Sequence, residues 1–361
     1  KSDGSVAWTQ RWKSPAKGDA QARAVAVAPN GDVTAVGFAP VDGRGLDSVA
    51  LRYSATGSLL WASTSSGSET PANDMASCVA LDPSGDAYMG GDEYIRGSTN
   101  CAYVARLAAS NGKVVWKTPL LEPRGTDGRV VAMAQNNGGL TAAIRMNPTS
   151  ADGFDLGVVR YAPDGKETWR TLVTGGAGFV EESTSLAIDR YGYAYIAGGS
   201  TDSGKVQKFL VGCVDPLGRL MWAHRDAASS IVGLPGAIAV ANDSGHVALA
   251  GSLSRGVDDD LSVTTLFQAP RAKTDSYSTF VGEKLQVGAT SGVLNNDVFT
   301  RFATLKVLKK PTVGTFELAA DGSFVFSPPA DFLGDATFTY ELSRDGLSSS
   351  EATVTIHVVK K

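Results

Sequence analysis

The stretch SDGSVAW, residues 2–8, is the first of five copies of one segment in this chain of 361 residues. The other copies are ATGSLLW at 55–61, SNGKVVW at 110–116, PDGKETW at 163–169 and PLGRLMW at 216–222. The tryptophans that end the copies are 53, 55, 53 and 53 residues apart. A glycine after Asp or Asn favours a tight turn, because such a turn needs a positive φ angle. The repeat therefore predicts a hairpin turn followed by a strand that ends in tryptophan.

A second apolar strand stands before four of these turns. The four strands are DSVALRY at 47–53, CAYVARL at 101–107, DLGVVRY at 155–161 and KFLVGCV at 208–214. A fifth strand, LSVTTLF at 261–267, has no turn segment after it, and the copy at 2–8 has no strand before it. These incomplete units are complementary. The N-terminal strand is therefore predicted to pair with strand 261–267 and to close a ring without exposed edges.

A second series of glycines marks another hairpin in every unit. The series is Gly31, Gly85, Gly138, Gly192 and Gly245, with gaps of 54, 53, 54 and 53 residues. Two hairpins make four strands per unit, so five units predict an all-β fold: a five-bladed β-propeller over residues 1–268, closed by the N-terminal strand. An open β-solenoid with the same period is the alternative. A solenoid needs atypical capping repeats, whereas the two ends here are incomplete in complementary ways.

The repeat also resembles a known family. The motif V-x-[RK]-[YL] followed by [DN]-G-x-x-x-W, with P-x-G-D-x-Y-x-x-G upstream, resembles the SBBP-type β-propeller repeats of bacterial secreted and surface proteins. The resemblance covers about residues 1–268 and implies a propeller rather than an activity. The hairpin is also similar to the tryptophan-docking motif of quinoprotein dehydrogenases. Those propellers have eight blades and a dedicated quinone and metal site, whereas this chain has five units.

The repeat ends before a short linker at 269–274. Residues 275–361 contain seven short strand-like segments separated by turn signals, which predicts an immunoglobulin-like (Ig-like) β-sandwich. The phrases GVLNND at 292–297 and PTVGTFELAADGSFVFSPPADFLGDATFTYELSRDG at 311–346 resemble the bacterial cadherin-like and Ig-like tandem modules of large surface proteins and adhesins. The resemblance implies a hairpin turn at Asp321-Gly322 and a core that contains Phe324, Phe326, Phe332, Phe338 and Tyr340.

Relatives of this module often continue from Asn-Asp into further aspartates that can bind Ca²⁺. Here Asn296-Asp297 is followed by Val298, Phe299 and Thr300. Ca²⁺ prefers six to eight hard oxygen ligands, and this stretch offers few of them. We therefore predict no cofactor, with Ca²⁺ as the cation that the resemblance leaves open.

Composition narrows the function classes. The net charge of −4 argues against a nucleic-acid binder, which would need a basic face. No apolar run approaches the roughly 20 residues that a membrane-spanning helix needs. The three cysteines, Cys78, Cys101 and Cys213, are too few for a disulfide framework. A bridge between Cys78 and Cys101 is conceivable, although another strand of the same blade would normally lie between them.

Catalytic patterns are scarce, whereas one acidic pattern recurs. His224, His246 and His357 lie in different units or domains, at no metal-ligand spacing, and we predict no enzyme. An acid precedes the first strand of four units, and we predict these acids as a ligand-binding set: Asp19, Asp74, Asp127, and Glu181 or Glu182. Equivalent positions of a propeller surround the mouth of its central channel, where carboxylates could bind a cation, a sugar or a basic peptide. Alternatively, the acids hydrogen-bond loop amides and recur because the unit recurs.

The expected function is that of a non-enzymatic, extracellular structural or adhesive module of a bacterial surface or matrix assembly. The expected partners are other surface or matrix proteins, copies of this chain through strand addition, and glycans. The alternative is a propeller that binds a glycan or a cation at its acidic mouth. A glycosidase-like enzyme is a third hypothesis. It is disfavoured because an acid–base pair needs two different environments, whereas the repeat makes the acids equivalent.

Overall fold

The computed structural model describes residues 4–67, 71–94, 100–120, 128–136, 138–146, 155–173, 180–201, 207–225, 232–241, 246–254, 259–266, 268–300, 303–344 and 346–361. These residues form strands, turns and one short 3-10 helix, Ala289–Ser291, which confirms the all-β prediction. The chain divides into two compact units. The first contains Lys1–Val240 and Val247–Thr265, and the second contains Ala241–His246 and Leu266–Lys361.

The first unit consists of five sheets that follow one another along the chain. Sheet 1 contains β1 (Gln21–Val27), β2 (Val33–Val41), β3 (Gly45–Tyr53) and β4 (Leu59–Ser65), and the short β5 (Ala72–Asn73) pairs with β3. Sheet 2 contains β6 (Met75–Leu81), β7 (Ala87–Glu93), β8 (Cys101–Leu107) and β9 (Val114–Pro119). Sheet 3 contains β10 (Gly128–Asn136), β11 (Gly139–Met146), β12 (Asp155–Tyr161) and β13 (Glu167–Val173). Sheet 4 contains β14 (Val180–Ile188), β15 (Ala194–Thr201), β16 (Gln207–Val214) and β17 (Leu220–Arg225). Sheet 5 contains β18 (Val232–Val240), β19 (Val247–Ser254) and β20 (Asp259–Leu266).

The first strand of each later sheet packs against the preceding sheet. β6 contacts β1–β3, β10 contacts β6–β8, β14 contacts β10–β12, and β18 contacts β14–β16. At the first of these junctions, Met89 and Tyr103 of sheet 2 pack in one buried cluster with Val36, Ala50 and Trp61 of sheet 1. The same packing mode at four junctions makes the arrangement propeller-like.

Three tryptophans of the repeat pack on the hairpin of the next sheet. Trp61 lies over Gly112, Trp116 over Gly165, and Trp169 over Gly218. The indole Nε1 also donates to a carbonyl of that hairpin, at 2.9 Å for Trp61 to Ala109 and for Trp116 to Pro163, and at 3.0 Å for Trp169 to Pro216. We call each of these contacts a tryptophan dock. The docks are packing contacts between sheets, because the next sheet covers one face of each of these indoles.

Arginines of the third strands connect neighbouring units in a similar way. Arg106 of β8 bonds Asp82 and Asp86 of its own sheet at 3.1 Å and donates through Nη1 to Pro163 O at 3.0 Å in sheet 3. Arg52 of β3 pairs with Asp32 and donates to Gly85 O in sheet 2. Arg52 and Arg106 therefore link adjacent hairpins, whereas Arg160 of β12 donates to Thr141 and Asn136 of its own sheet.

The predicted N-terminal strand is not formed. No strand is assigned to residues 4–20, and the described part of sheet 5 has three strands. Within the described residues, β1 also has no packing against sheet 5 like that of the other junctions. Trp8 instead docks on Gly57 and donates to Ala55 O at 3.0 Å, and Ser14 Oγ donates to Pro40 O at 2.6 Å. These contacts attach the N-terminal segment to sheet 1, and among the described residues no strand pairing joins this segment to β20.

All three cysteines are buried free thiols. β7 lies between β6, which carries Cys78, and β8, which carries Cys101, so the conceivable bridge is not formed. Burial raises the pKa of the Cys101 thiol to about 11 and also raises the pKa of Cys78. Because the thiolate is the reactive form, these two cysteines fit a structural role.

The second unit is a β-sandwich of two sheets around one core. One sheet has the order β21 (Asp275–Phe280), β28 (Ala352–Val359), β26 (Gly334–Arg344) and β23 (Thr304–Lys309), with the short β27 (Leu347–Ser348) beside β26. The other sheet has the order β22 (Leu285–Val287), β25 (Phe324–Ser327) and β24 (Thr315–Leu318). β21 runs parallel to β28. The seven predicted strands are all present.

The core of the sandwich contains the predicted aromatic residues with one difference. Phe324, Phe326, Phe338 and Tyr340 are buried, whereas Phe332 is partly buried at the edge of the cluster. The predicted turn at Asp321-Gly322 joins β24 to β25, and Asp321 Oδ1 accepts the Ser323 amide at 3.0 Å. Gly322 has a φ of +83°, a conformation that glycine adopts without a steric cost.

The tryptophan docks make a prediction about Gly112. Its φ is +69°, and a Cβ added there would lie 2.5 Å from Cε3 of Trp61. We expect Gly112→Ala to lower the free energy of unfolding by about 2–4 kcal/mol, from backbone strain and overpacking together. All six tryptophans belong to the first unit, so tryptophan fluorescence during chemical denaturation reports on it.

Gly138→Ala is the matched control. Gly138 has a φ of +75°, but nothing lies within 4 Å of an added Cβ, so only the strain of about 1–2 kcal/mol is expected. Equal losses in the two variants would show that the indole does not require glycine.

Candidate functional site

The structure describes part of the predicted set of acids. Asp19 is exposed two residues before β1, and Asp74 is buried immediately before β6. Asp127 lies outside the described residues. Glu181 and Glu182 lie inside β14 rather than before it, and their side chains are outside the described part. The two acids with described side chains therefore have different surroundings despite equivalent sequence positions.

Asp74 joins two loops. It is 1% exposed, its Oδ2 accepts the Gly67 amide at 2.6 Å, and its Oδ1 accepts the Tyr94 amide at 2.9 Å. Its own amide donates to Leu46 O at 2.7 Å. Both carboxylate oxygens are thus occupied by backbone donors, as the loop-amide interpretation of the acids predicts.

A buried ionic cluster surrounds Asp74. Lys117 of β9 pairs with the carboxylate of Glu93, and its Nζ donates to Ser66 O at 2.9 Å. The same Nζ lies 4.6 Å from the centre of the Tyr103 ring, and Tyr103 in turn bonds Ser48 at 2.7 Å. Burial raises the pKa of Glu93, and the contact with Lys117 opposes that shift. Lys117 therefore neutralises a carboxylate that would otherwise be unstable in its charged form.

Asp47 is the third carboxylate of the cluster. It is 1% exposed and lies 3.3 Å from Arg44 Nε, but neither of its oxygens accepts a hydrogen bond. Burial raises the pKa of Asp47, the Arg44 charge opposes this, and the Asp74 charge adds to it. Among the described residues, no group of three or more His, Cys, Asp or Glu side chains is arranged to hold a metal ion.

Sequence reasoning missed Asp47, Glu93 and Lys117. The residues that follow the five tryptophans are Thr9, Ala62, Lys117, Arg170 and Ala223, so the repeat does not require a charge at this position. Asp47, Glu93 and Lys117 come from three strands and meet only through the packing of sheets 1 and 2.

In the second unit, Asp297 is occupied by protein donors. Its Oδ1 accepts the Lys273 amide at 2.7 Å, and its Oδ2 accepts the Tyr340 hydroxyl at 2.8 Å. His357 is paired with Asp335 at 2.6 Å, and His224 is exposed on β17. No helix in the described part of the chain has the length and apolarity to cross a membrane.

Comparison with known proteins identifies the second unit. The model of the bacterial cadherin-like domain matches residues 267–360. The SBBP-type resemblance of residues 1–268 is not supported by a family match. The comparison with curated proteins gives no match.

Solved structures with related folds are distant. A protein of unknown function from Dyadobacter fermentans is 12% identical, with 91% of this chain and 93% of that chain covered and a TM-score of 0.46. A protein of unknown function from Bacteroides caccae is 12% identical, with 68% and 76% covered and a TM-score of 0.39. An apocarotenoid oxygenase from Synechocystis is 11% identical, with 68% and 62% covered and a TM-score of 0.40. At these scores the similarities carry no functional argument.

The two described acids allow a direct test of the loop-amide interpretation. Asp74→Ala would remove the acceptor of the Gly67 and Tyr94 amides, and we expect it to lower the free energy of unfolding by about 1–3 kcal/mol. Asp19→Ala removes an exposed carboxylate and should change it by less than about 0.5 kcal/mol. Chemical denaturation followed by tryptophan fluorescence gives both values. A loss below about 0.5 kcal/mol for Asp74→Ala would contradict the structural role.

Proposed function

We propose that this chain is a non-enzymatic structural or adhesive module of a bacterial surface or matrix assembly, and that it works outside the cell. The observation that carries the proposal is the match of residues 267–360 to the bacterial cadherin-like domain, which suggests a surface or adhesion role. The buried ionic cluster of the first unit adds support, because its described carboxylates serve loop amides and cations of the chain itself. These carboxylates have no exposed surface on which a substrate could be held.

We further propose that the five sheets close into a five-bladed propeller in solution. Trp8 supports closure, because it docks on Gly57 as Trp61 docks on Gly112, and so stands where the last strand of a preceding blade would stand. Sheet 1 also has an uncovered face. Val25 and Val27 are 64% and 65% exposed, whereas Val79 and Leu81, 54 residues later, pack against sheet 1.

A cavity lies on the same face of sheet 1. Its volume is about 210 Å³, and its lining includes Trp12, Phe38, Leu51 and Tyr53. On β20, Leu261 and Val263 are 84% and 68% exposed. Two uncovered apolar faces, one on the first sheet and one on the last, are what an unclosed ring of blades would leave. Closure would bury both faces and complete sheet 5 with the N-terminal segment.

Closure predicts a fifth tryptophan dock, of Trp222 on the turn at Gly4. In the structure an added Cβ at Gly4 meets nothing within 4 Å, and the φ of Gly4 is +76°. We therefore expect Gly4→Ala to lower the free energy of unfolding by about 2–4 kcal/mol if the ring closes, because Trp222 would then lie against the new Cβ. Denaturation followed by tryptophan fluorescence, with Gly112→Ala as reference, measures this. A loss of about 1–2 kcal/mol or less, which is what backbone strain alone gives in Gly138→Ala, would contradict closure.

Self-association through the second unit is proposed from the two edge strands of its larger sheet. β23 is a poor edge for strand addition, because it has a bulge between Val307 and Lys309 and carries the exposed Lys306 and Lys309. β21, at the opposite end of the same sheet, is a regular six-residue edge without a lysine. Copies of this chain, or a partner strand of another surface protein, would therefore add at β21.

The functional hypotheses can be separated with the full chain. We expect no turnover of oligosaccharides, no Ca²⁺ binding in a calorimetric titration, and assemblies visible by electron microscopy of the purified protein. The alternative, a ligand-binding mouth of the propeller, predicts glycan-array or Ca²⁺ signals that are lost in Asp127→Ala and in Asp74→Ala. Folding of each variant is checked by tryptophan fluorescence. Oligosaccharide turnover would exclude the non-enzymatic hypothesis, and ligand signals lost in folded variants would favour the alternative.

A further inference from the structure

The segment before β21 is fixed to the sandwich rather than free. The Arg271 amide donates to Val298 O at 2.9 Å, and the Val298 amide donates back to Arg271 O at 3.0 Å. Asn296 Nδ2 donates to Thr274 O at 3.0 Å. The residues predicted as a linker are therefore bound along the loop that contains Asn296 and Val298.

Tyr340 is the centre of this attachment. It is fully buried in β26, and its hydroxyl lies 2.8 Å from Asp297 Oδ2 and 3.5 Å from Asp275 Oδ2. The hydroxyl also lies 3.3 Å from Lys273 O, and the Lys273 amide donates to Asp297 Oδ1 at 2.7 Å. Val293 O lies 3.0 Å from the same hydroxyl, so that two half-buried carboxylates and two backbone carbonyls converge on a single phenol.

The charges in this group do not balance when both acids are ionised. Among the described residues, Asp297 and Tyr340 act on the pKa of Asp275, Tyr277 lies beside them, and Lys273, whose side chain is exposed, is the cation that acts on Asp297. Burial, and then the Asp297 charge, raise the pKa of Asp275 to about 7. Burial also raises the pKa of Asp297, although the bonds from Tyr340 and Lys273 oppose this.

A protonated Asp275 removes the imbalance. Its carboxyl hydrogen can point to the Tyr340 oxygen, and the Tyr340 hydrogen is then donated to ionised Asp297, so that each group has a partner. An ionised Asp275 has no donor in this chain of bonds, since the phenol carries one hydrogen. It also repels Asp297 in a partly buried setting, where charge interactions are screened less than in water.

We propose that Asp275, Tyr340 and Asp297 form a pH-sensitive clamp, which holds residues 271–275 against the sandwich at mildly acidic pH and weakens as both carboxylates ionise. The direction follows from proton linkage. At pH values between the ordinary pKa of an aspartate, near 3.9, and the raised pKa of Asp275, the clamped state binds a proton on Asp275 and the released state does not. Clamping is therefore lost as the pH rises through this range. The clamp is a property of the second unit and does not depend on the proposed surface function.

Hydrogen exchange on the full chain tests the clamp. Exchange of the backbone amides of residues 271–276 would be followed by mass spectrometry at about pH 5.5 and about pH 8.5, with EDTA present and with correction for the intrinsic pH dependence of exchange. We expect protection to fall by about tenfold or more at the higher pH, because each unit of pKa difference changes the opening equilibrium by about tenfold. Unchanged corrected protection would overturn the proposal.

Variants separate the clamp from a general charge effect. Asp275→Asn keeps the shape and stays neutral, so protection should become nearly independent of pH. Asp331→Asn removes an exposed carboxylate of the same unit and should keep the wild-type pH dependence. A pH dependence that persists in Asp275→Asn, or that disappears in Asp331→Asn, would contradict the clamp.

Discussion

The first unit depends on the contact of an indole with a left-handed glycine. A tryptophan at the end of one sheet can lie flat on the next hairpin only where that hairpin lacks a Cβ, and its Nε1 hydrogen then reaches a carbonyl of the same turn. Each dock joins two neighbouring sheets near their hairpins, while apolar residues join the same sheets elsewhere. Each sheet is therefore held by its contacts with the neighbouring sheets, and a sheet without a neighbour on one side leaves apolar surface exposed there.

The polar interior of the first unit follows from the same packing. Sheets 1 and 2 bring Asp47, Asp74, Glu93 and Lys117 together, and burial raises the pKa of Asp47 and of Glu93. Two loop amides donate to Asp74, and the contact with Lys117 opposes the raised pKa of Glu93. Asp47, Asp74 and Glu93 are thus buried within the first unit, where amides and cations of the chain itself surround them.

Local features of both units could be predicted from the sequence. The hairpin glycines, the strands that flank them and the phenylalanines of the sandwich depend on turn geometry and on alternating apolar residues, which are visible in short stretches. The two acids with described side chains show where this reasoning stops. Asp19 and Asp74 hold equivalent places in the repeat, yet one is exposed and the other is buried, because only Asp74 is covered by loops of two sheets.

The sequence by itself determined the period, the all-β class and the cadherin-like similarity of residues 267–360, since each depends on neighbours along the chain. Tertiary structure alone decided that Lys117 meets Glu93, that Tyr340 contacts Asp275 and Asp297, and that Trp8 docks on Gly57. These contacts join residues from about 20 to 65 positions apart. Their energies come from burial and charge, which no local pattern encodes.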